Sequence, residues 1–293
     1  ETTTGPLGQG IANATGMAIA EEILKKKIGK NIINHKTYVL AGDGCLMEGI
    51  SHEALSLAGH LKLKNLIMLF DNNSISIDGP TSLAVSDDFK KRFESYGWNY
   101  ILIDGHNEKQ IIKALKRAQK ASKPTVISCK TIIGFGSPNK SGKESAHGSP
   151  LGEEEIKLVR KKLKWSYLPF EIPEKILSEW RKIGSLGDKL EKKWEKVVKK
   201  NNLKFKKYTN AEQLILKTQN EFLKEKQKLI NENESMATRK SSEKILNFLT
   251  KENSFLVGGS ADLSGSNNTK TKHHKIIKPG NYDGNYIHYG VRE

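Results

Sequence analysis

From Ile11 to Cys129 apolar and polar positions fall into blocks that switch between two periods. Ile11 to Lys27 spaces Ala, Met and Ile at helical intervals among Glu and Lys, which predicts a helix with one buried face. Thr37 to Ala41 (Thr-Tyr-Val-Leu-Ala) is a short apolar run closed by Gly42-Asp43-Gly44, which predicts a buried strand. Glu48 to Leu61 predicts a helix, and Leu66 to Phe70 a second strand, closed by Asp71-Asn72-Asn73. Tyr100 to Ile103 and Thr125 to Cys129 predict further strands, with a helix from Glu108 to Ser122 between them. Short apolar strands separated by helices predict an α/β fold with a parallel sheet, whose ligands sit beyond the carboxyl ends of the strands. The polar clusters at Asp43 and Asn73 both fall there.

After this stretch the pattern changes. Gly134 to Gly152 is a Gly/Ser/Pro-rich loop carrying His147. Glu153 to about Lys207 is charged and amphipathic, read here as helices packed on the sheet. Lys207 to about Glu234 is highly polar, a linker or an exposed helix. Alternation restarts at Ala237, with a helix to about Thr250, a strand at Phe255 to Val257 and a polar turn from Gly258 to Asn268. The expected organisation is a first domain over residues 1–207, a linker over 208–236 and the start of a second α/β domain over 237–293. No repeat at solenoid spacing is present.

Hydrophobic residues make up 36% of the chain, enough for a sizeable core. The longest Leu/Ile/Met/Phe run, Leu66 to Phe70, is far short of the roughly 20 residues of a membrane span, so no membrane role is expected. Cys45 and Cys129 are the only cysteines and form no metal-type spacing, which favours a reducing cytoplasm over a disulfide scaffold. No signal peptide is visible; the chain opens at Glu1 inside what reads as a structured segment and stops at Glu293, so a fragment is expected. The net charge of +16 lies largely between Lys157 and Lys207, where Lys alternates with Glu and apolar residues. That pattern reads as a solvated helix face, and no zinc finger or helix-turn-helix supports nucleic-acid binding.

Asp43 and Asn73 lie thirty residues apart with a helix between them, so a strand–helix–strand unit brings both strand ends side by side. A carboxylate, an amide oxygen and a nearby carbonyl make a hard-oxygen site, and Mg²⁺ takes one or two carboxylates plus phosphates and water. Gly42 and Gly44 leave room for backbone N–H groups to reach a phosphate. An ordinary βα turn is the plain alternative, since Gly-Asp-Gly is common; Asn73 at this spacing favours the cofactor site.

Gly42-Asp43-Gly44 followed by Asn72-Asn73 resembles the thiamine-diphosphate motif, and the surrounding wording is narrower. Glu1-Thr-Thr-Thr-Gly-Pro-Leu-Gly-Gln-Gly10, Gly42-Asp-Gly-Cys-Leu-Met-Glu-Gly-Ile-Ser-His-Glu53, Ser145-Ala-His-Gly-Ser-Pro-Leu-Gly152, Ala237-Thr-Arg-Lys240 and Gly259-Ser-Ala-Asp-Leu263 closely resemble the transketolase family. They occur in that family's order and span the chain nearly end to end, apart from the lysine-rich middle. The resemblance implies a diphosphate-binding first domain, a pyrimidine-binding second domain, and a homodimer with its active site at the subunit interface. It implies that Asp43, Asn73 and the Ile75 carbonyl ligate a divalent ion, Mg²⁺ or Ca²⁺, and that the Gly44 N–H meets the diphosphate. Gly5 and Leu7 would line the cofactor rings, and His147 would lie near the diphosphate and the reacting carbons. Arg239 and Ser266 would hold the sugar phosphate, and Asp262 would approach the thiazolium from the partner subunit. Glu293, in Tyr289-Gly-Val-Arg-Glu293, matches the family's catalytic glutamate, which favours the imino tautomer that deprotonates the thiazolium C2. Glu48 would share a proton network with it across the interface.

The implied activity is ketol transfer from a ketose phosphate of the xylulose 5-phosphate type to an aldose phosphate of the ribose 5-phosphate type, in the pentose phosphate pathway. The isolated fragment is expected to lack turnover. Dihydroxyacetone synthase is similar enough that a formaldehyde acceptor assay is needed to separate it. 1-Deoxyxylulose-5-phosphate synthase is disfavoured by Gly5-Pro-Leu-Gly-Gln and the Ala146-His-Gly loop. A non-catalytic basic binding protein is the rival from another class, and salt-dependent DNA or RNA affinity indifferent to thiamine diphosphate is what would reveal it.

Overall fold

The computed structural model describes residues 2–201, 211–253 and 255–292. Two compact units divide the chain: residues up to Ala18 with His35–Lys196, and Ile19–Asn34 with the residues from Val197 onward.

The first unit is built on four strands, β1 (Thr37–Gly42), β2 (Leu66–Asn72), β5 (Asn99–Asp104) and β6 (Thr125–Lys130), in the order β1-β2-β6-β5. Every pairing is parallel, as the alternation of short apolar runs with helices predicts. The register places Gly42, Asp71, Cys129 and Ile103 on one rung, with Asn72, Lys130 and Asp104 on the next. Four chain exits therefore share one edge of the sheet. A small hairpin of β3 (Ile75–Ser76) and β4 (Gly79–Pro80) follows β2 directly.

Connecting helices bury the strands. Helix α5 (Glu108–Gln119) lays Ala114 and Ala118 on Ile67, Ile103 and Ile127. Helix α3 (Gly49–His60) buries Ala54, Leu55, Leu57 and Ala58. Fully buried Phe93, on α4 (Phe89–Ser95), packs edge-on against Trp98. Each fully buried Ile, Leu or Phe contributes about 1.5–3 kcal/mol by burial, and each Ala less.

Three expectations change. Strand β1 is not buried throughout: it alternates, with Leu40 81% exposed, because it is an edge strand burying one face. The helix expected from Glu48 to Leu61 is α3, but the expected Gly42-Asp43-Gly44 turn opens a further short helix, α2 (Asp43–Met47), separated from α3 by Glu48 in an extended conformation. The charged stretch forms α6 (Glu153–Lys162) and α7 (Glu174–Lys200), yet no α7 side chain is buried. Lys182–Glu179 and Lys192–Asp188 pair along the exposed surface of α7, as on a solvated face, and such pairs add little stability.

In the second unit α8 (Ala211–Glu232) is a long helix where a linker or exposed helix was expected. Helix α9 (Thr238–Glu252) follows. The strand expected at Phe255 to Val257 lies instead at Gly258–Ser260 (β7), inside the expected polar turn. Its parallel partner β8 (Tyr286–His288) decides its place. A short helix, α10 (Ser264–Asn267), follows β7, and Tyr282, Tyr286 and Ile287 are buried. Among the described residues no helix is long and apolar enough to cross a membrane.

Candidate functional site

The chain leaves β1 at Gly42 and β2 at Asn72 on neighbouring positions of the sheet edge. Asp43 opens α2 there, 4% exposed. Its Oδ2 accepts the backbone N–H of Asn73 and of Ser74, each at 3.2 Å. Both donors land on one oxygen, which fixes the orientation of the carboxylate without using its second oxygen. Asn73 Oδ1 accepts Ile75 N–H at 2.9 Å, turning the chain into β3. Ser74 takes a positive φ of 64°, the left-handed conformation that makes this tight turn. Asp43, Asn73 and Ile75, the three expected cation ligands, are thus brought together.

Burial, above all, raises the Asp43 pKa, and Asp71 adds to this; the Ser74 and Asn73 amides and Lys130 oppose it. A buried carboxylate whose charge is penalised in this way fits a cation ligand, because a bound cation would offset the penalty. The turn also has space. A Cβ built on Gly42 would meet nothing within 4 Å, and one on Gly44 would meet only Leu7 Cδ1 at 3.4 Å. The residues present therefore fit a divalent ion with a phosphate group beside it.

Leu7 and Glu48 sit against the same elements, Leu7 beside Gly44 and Glu48 between α2 and α3, while Gly5 has open space around it. Gly8 holds a φ of +79°, and a Cβ there would lie 2.7 Å from Ile50 Cγ2 and 3.0 Å from Glu48 Cβ. Only glycine lets the Gly5–Gly8 segment approach the start of α3 so closely. Arg92 Nη2 donates to the Leu46 carbonyl at 2.7 Å and holds the far end of α2.

Three neighbours of the turn were missed in the sequence. Lys130 Nζ donates to Asn72 Oδ1 at 3.0 Å and Ser74 Oγ at 3.2 Å. Asp71 Oδ2 accepts from Asn73 Nδ2 at 3.3 Å, and Thr131 Oγ1 donates to Asp71 Oδ1. Their one legible signal is position: each stands at the carboxyl end of a predicted strand. A cleft of about 720 Å³ opens along this edge, lined by Gly42, Asp71, Asn73, Gly105, Thr131 and Gly134 among others.

His147 is exposed and caps a one-turn helix, Glu144–Ala146, donating its N–H to the Glu144 carbonyl at 2.7 Å; its described contacts stay within its own loop. That loop is anchored by Glu155, which accepts from Ser137 Oγ, Asn139 N at 2.9 Å and Asn139 Nδ2 at 2.8 Å. These bonds, led by Ser137, lower the Glu155 pKa to about 2. A depressed carboxylate stabilises the fold above its unfolded value, and that stability is lost as pH falls from about 4.5 toward about 2. Glu155→Gln should therefore make the segment 134–140 more sensitive to protease at pH 7. The difference should shrink as pH falls below about 4.5 and vanish below about pH 2. Equal cleavage rates at pH 7 would refute the anchoring role.

Arg239, Asp262 and Ser266 lie in the second unit, all exposed. Arg239 stands in the first turn of α9 and Ser266 within α10. Asp262 adopts a left-handed φ of 65°, a costly conformation for a non-glycine residue that tends to persist at functional sites. Glu293, the expected catalytic carboxylate, lies outside the described residues.

Residues 1–221 match the family model described as transketolase, thiamine diphosphate binding domain, and residues 234–293 match transketolase, pyrimidine binding domain. A transketolase of Buchnera aphidicola is 50% identical over 307 aligned residues, covering 100% of this chain and 45% of that protein. Transketolase 2 of Escherichia coli K12 is 48% identical, with the same coverage of 100% and 45%. The solved structure of a Pichia stipitis transketolase in complex with sedoheptulose 7-phosphate superposes with a TM-score of 0.85 at 36% identity, covering 99% of this chain and 45% of that one. The chain thus spans about 45% of the length of the relatives it matches.

Proposed function

The chain belongs to the transketolase family, and from that premise we propose that it carries the cofactor-anchoring part of an enzyme that transfers a two-carbon ketol unit between sugar phosphates. The observation that carries this reading is the buried Asp43 carboxylate bonded to the turn that presents Asn73 and Ile75. Asp43, the Asn73 amide oxygen and the Ile75 carbonyl would hold a divalent ion, Mg²⁺ or Ca²⁺. The Gly44 N–H would meet the diphosphate of thiamine diphosphate, and Gly5 and Leu7 would flank its rings. When bound, that cofactor supplies the carbon nucleophile and electron sink of the reaction.

The remaining roles belong to this chain's own side chains. His147 would donate a hydrogen bond to the diphosphate and to substrate oxygen. Arg239 would bind the sugar phosphate through its planar fork, with Ser266 beside it. Asp262 and Glu293 of one subunit would serve the cofactor held by the Asp43 turn of the other, which makes a homodimer the working assembly. Glu48 would couple the two Glu293 carboxyls through protons. The excess of basic residues would help gather anionic sugar phosphates such as xylulose 5-phosphate and ribose 5-phosphate. A pentose phosphate role in the cytoplasm follows from that substrate class.

Calorimetric titration with thiamine diphosphate tests the reading. Saturable heat with Mg²⁺ or Ca²⁺ present, lost in excess chelator and restored by adding the ion, is expected. Binding equally tight in chelator would remove the metal from the proposal. No binding by the folded chain under either condition would remove the cofactor.

A further inference from the structure

The turn after β5 carries a histidine that the proposed chemistry does not use. His106 Nε2 accepts the backbone N–H of Ile132 at 3.0 Å. Its ring stacks on Phe135, with centroids 4.1 Å apart and planes inclined by 22°. A ring nitrogen that accepts carries no proton, so this imidazole is neutral with its hydrogen on Nδ1. The turn itself is rigid: His106 N–H donates to Asp104 Oδ1 at 2.9 Å, and Gly105 N–H donates to the Lys130 carbonyl at 2.8 Å. His106 thus grips the segment leaving β6 by one hydrogen bond and one stacked face. That segment helps to line the cleft: Thr131, Ile132, Ile133 and Gly134 border it together with Gly42, Asp71 and Asn73. It is also tied to the expected ligand Asn73 through Thr131 and Asp71.

We propose that His106 is a positioning residue: its neutral imidazole holds the Ile132–Phe135 segment against the carboxyl edge of the sheet and so sets the shape of the cleft beside Asn73. The effect on cofactor affinity rests on the proposed function; the clamp itself does not. On its own turn the nearest charged group is Asp104, engaged with the His106 amide. The segment it touches, Thr131 to Ser137, contains no titratable side chain. The flanking charges are Lys130, held by Asn72 and Ser74, and Lys140, whose backbone N–H is held by Ser137.

Hydrogen–deuterium exchange at the Ile132 amide, compared between variants at matched pH, tests the clamp without any cofactor. His106→Phe keeps a ring to stack and removes the acceptor. It should raise exchange at Ile132 about fivefold, the worth of one ordinary hydrogen bond. His106→Gln, which offers an amide oxygen, should restore part of the protection. Calorimetry on the same proteins should show weaker binding of thiamine diphosphate with Mg²⁺ in His106→Phe than in wild type. Unchanged Ile132 exchange in His106→Phe overturns the clamp. Raised exchange with unchanged affinity overturns its link to the cleft. Raised exchange in His106→Phe, together with a wild-type chain that binds no cofactor, supports the clamp and counts against the proposed function instead.

Discussion

Replacing Asp43 by Asn is expected to abolish metal-dependent binding of thiamine diphosphate while leaving the turn folded. Asn is nearly isosteric with Asp, and its amide oxygen can still accept the N–H groups of Asn73 and Ser74. What disappears is the negative charge. Loss of groups that merely support a metal ligand costs 10–100-fold in affinity, so loss of the charged ligand should cost more than about 100-fold. The sign of the stability change separates this role from a structural one. Burial raises the folded-state pKa of Asp43, so the unfolded chain releases the proton first as pH rises. The metal-free fold is therefore penalised once pH passes the unfolded value, and fully so above the folded value. At pH 7 Asp43→Asn should match or exceed wild type in melting temperature without metal. With Mg²⁺ and cofactor, wild type alone should rise. A variant that melts well below metal-free wild type would mean that the carboxylate serves the fold.

Gly59→Ala should be the most damaging single methyl group in the first unit. A Cβ at this position would lie 1.8 Å from the Tyr96 carbonyl oxygen, 2.8 Å from its carbon and 3.0 Å from Trp98 Cδ1. These are mostly backbone atoms, and they are pinned. Trp98 N–H donates to the Phe93 carbonyl at 3.0 Å, and Gly97 between them holds a φ of +85°. Trp98 is 2% exposed, and its indole N–H donates to the Leu55 carbonyl at 2.8 Å. To admit the methyl, α3 and the Tyr96–Trp98 turn must separate and break these bonds. Overpacking of this kind costs about 3 kcal/mol or more, a melting shift of roughly 10 °C. Because Glu48 precedes α3, its position should shift as well. Gly49→Ala is the control: a Cβ there meets nothing within 4 Å, so helix propensity should make it neutral or slightly stabilising. Equal melting temperatures for the two variants would show that α3 moves away at little cost.

Much of this architecture was legible because its signals are local. Parallel strands buried on both faces read as unbroken apolar runs, and Leu66 to Phe70 does so in sequence and in structure. The residues that close them, Gly42-Asp43-Gly44 and Asn72-Asn73, are turn formers whose place follows from the strands alone. Asp43 and Asn73 could therefore be paired at a distance of thirty residues before any coordinate was seen. Strand β7 was displaced by three residues because Gly258 and Gly259 carry no side-chain signal; pairing with Tyr286 and Ile287, far along the chain, makes the strand. Helix α2 is unmarked because the glycines on either side of Asp43 read as a turn, and the approach of Gly8 to α3 is a tertiary contact.

The sequence by itself determined which residues could hold a cation and a phosphate, because residue type and spacing set that chemistry. Only the tertiary structure decided which neighbours act on them. Lys130, Asp71 and His106 stand at three different strand ends, and beyond that position nothing local marks them. They meet because sheet register aligns the ends of β2, β5 and β6, and register is a property of the packed sheet rather than of any one strand.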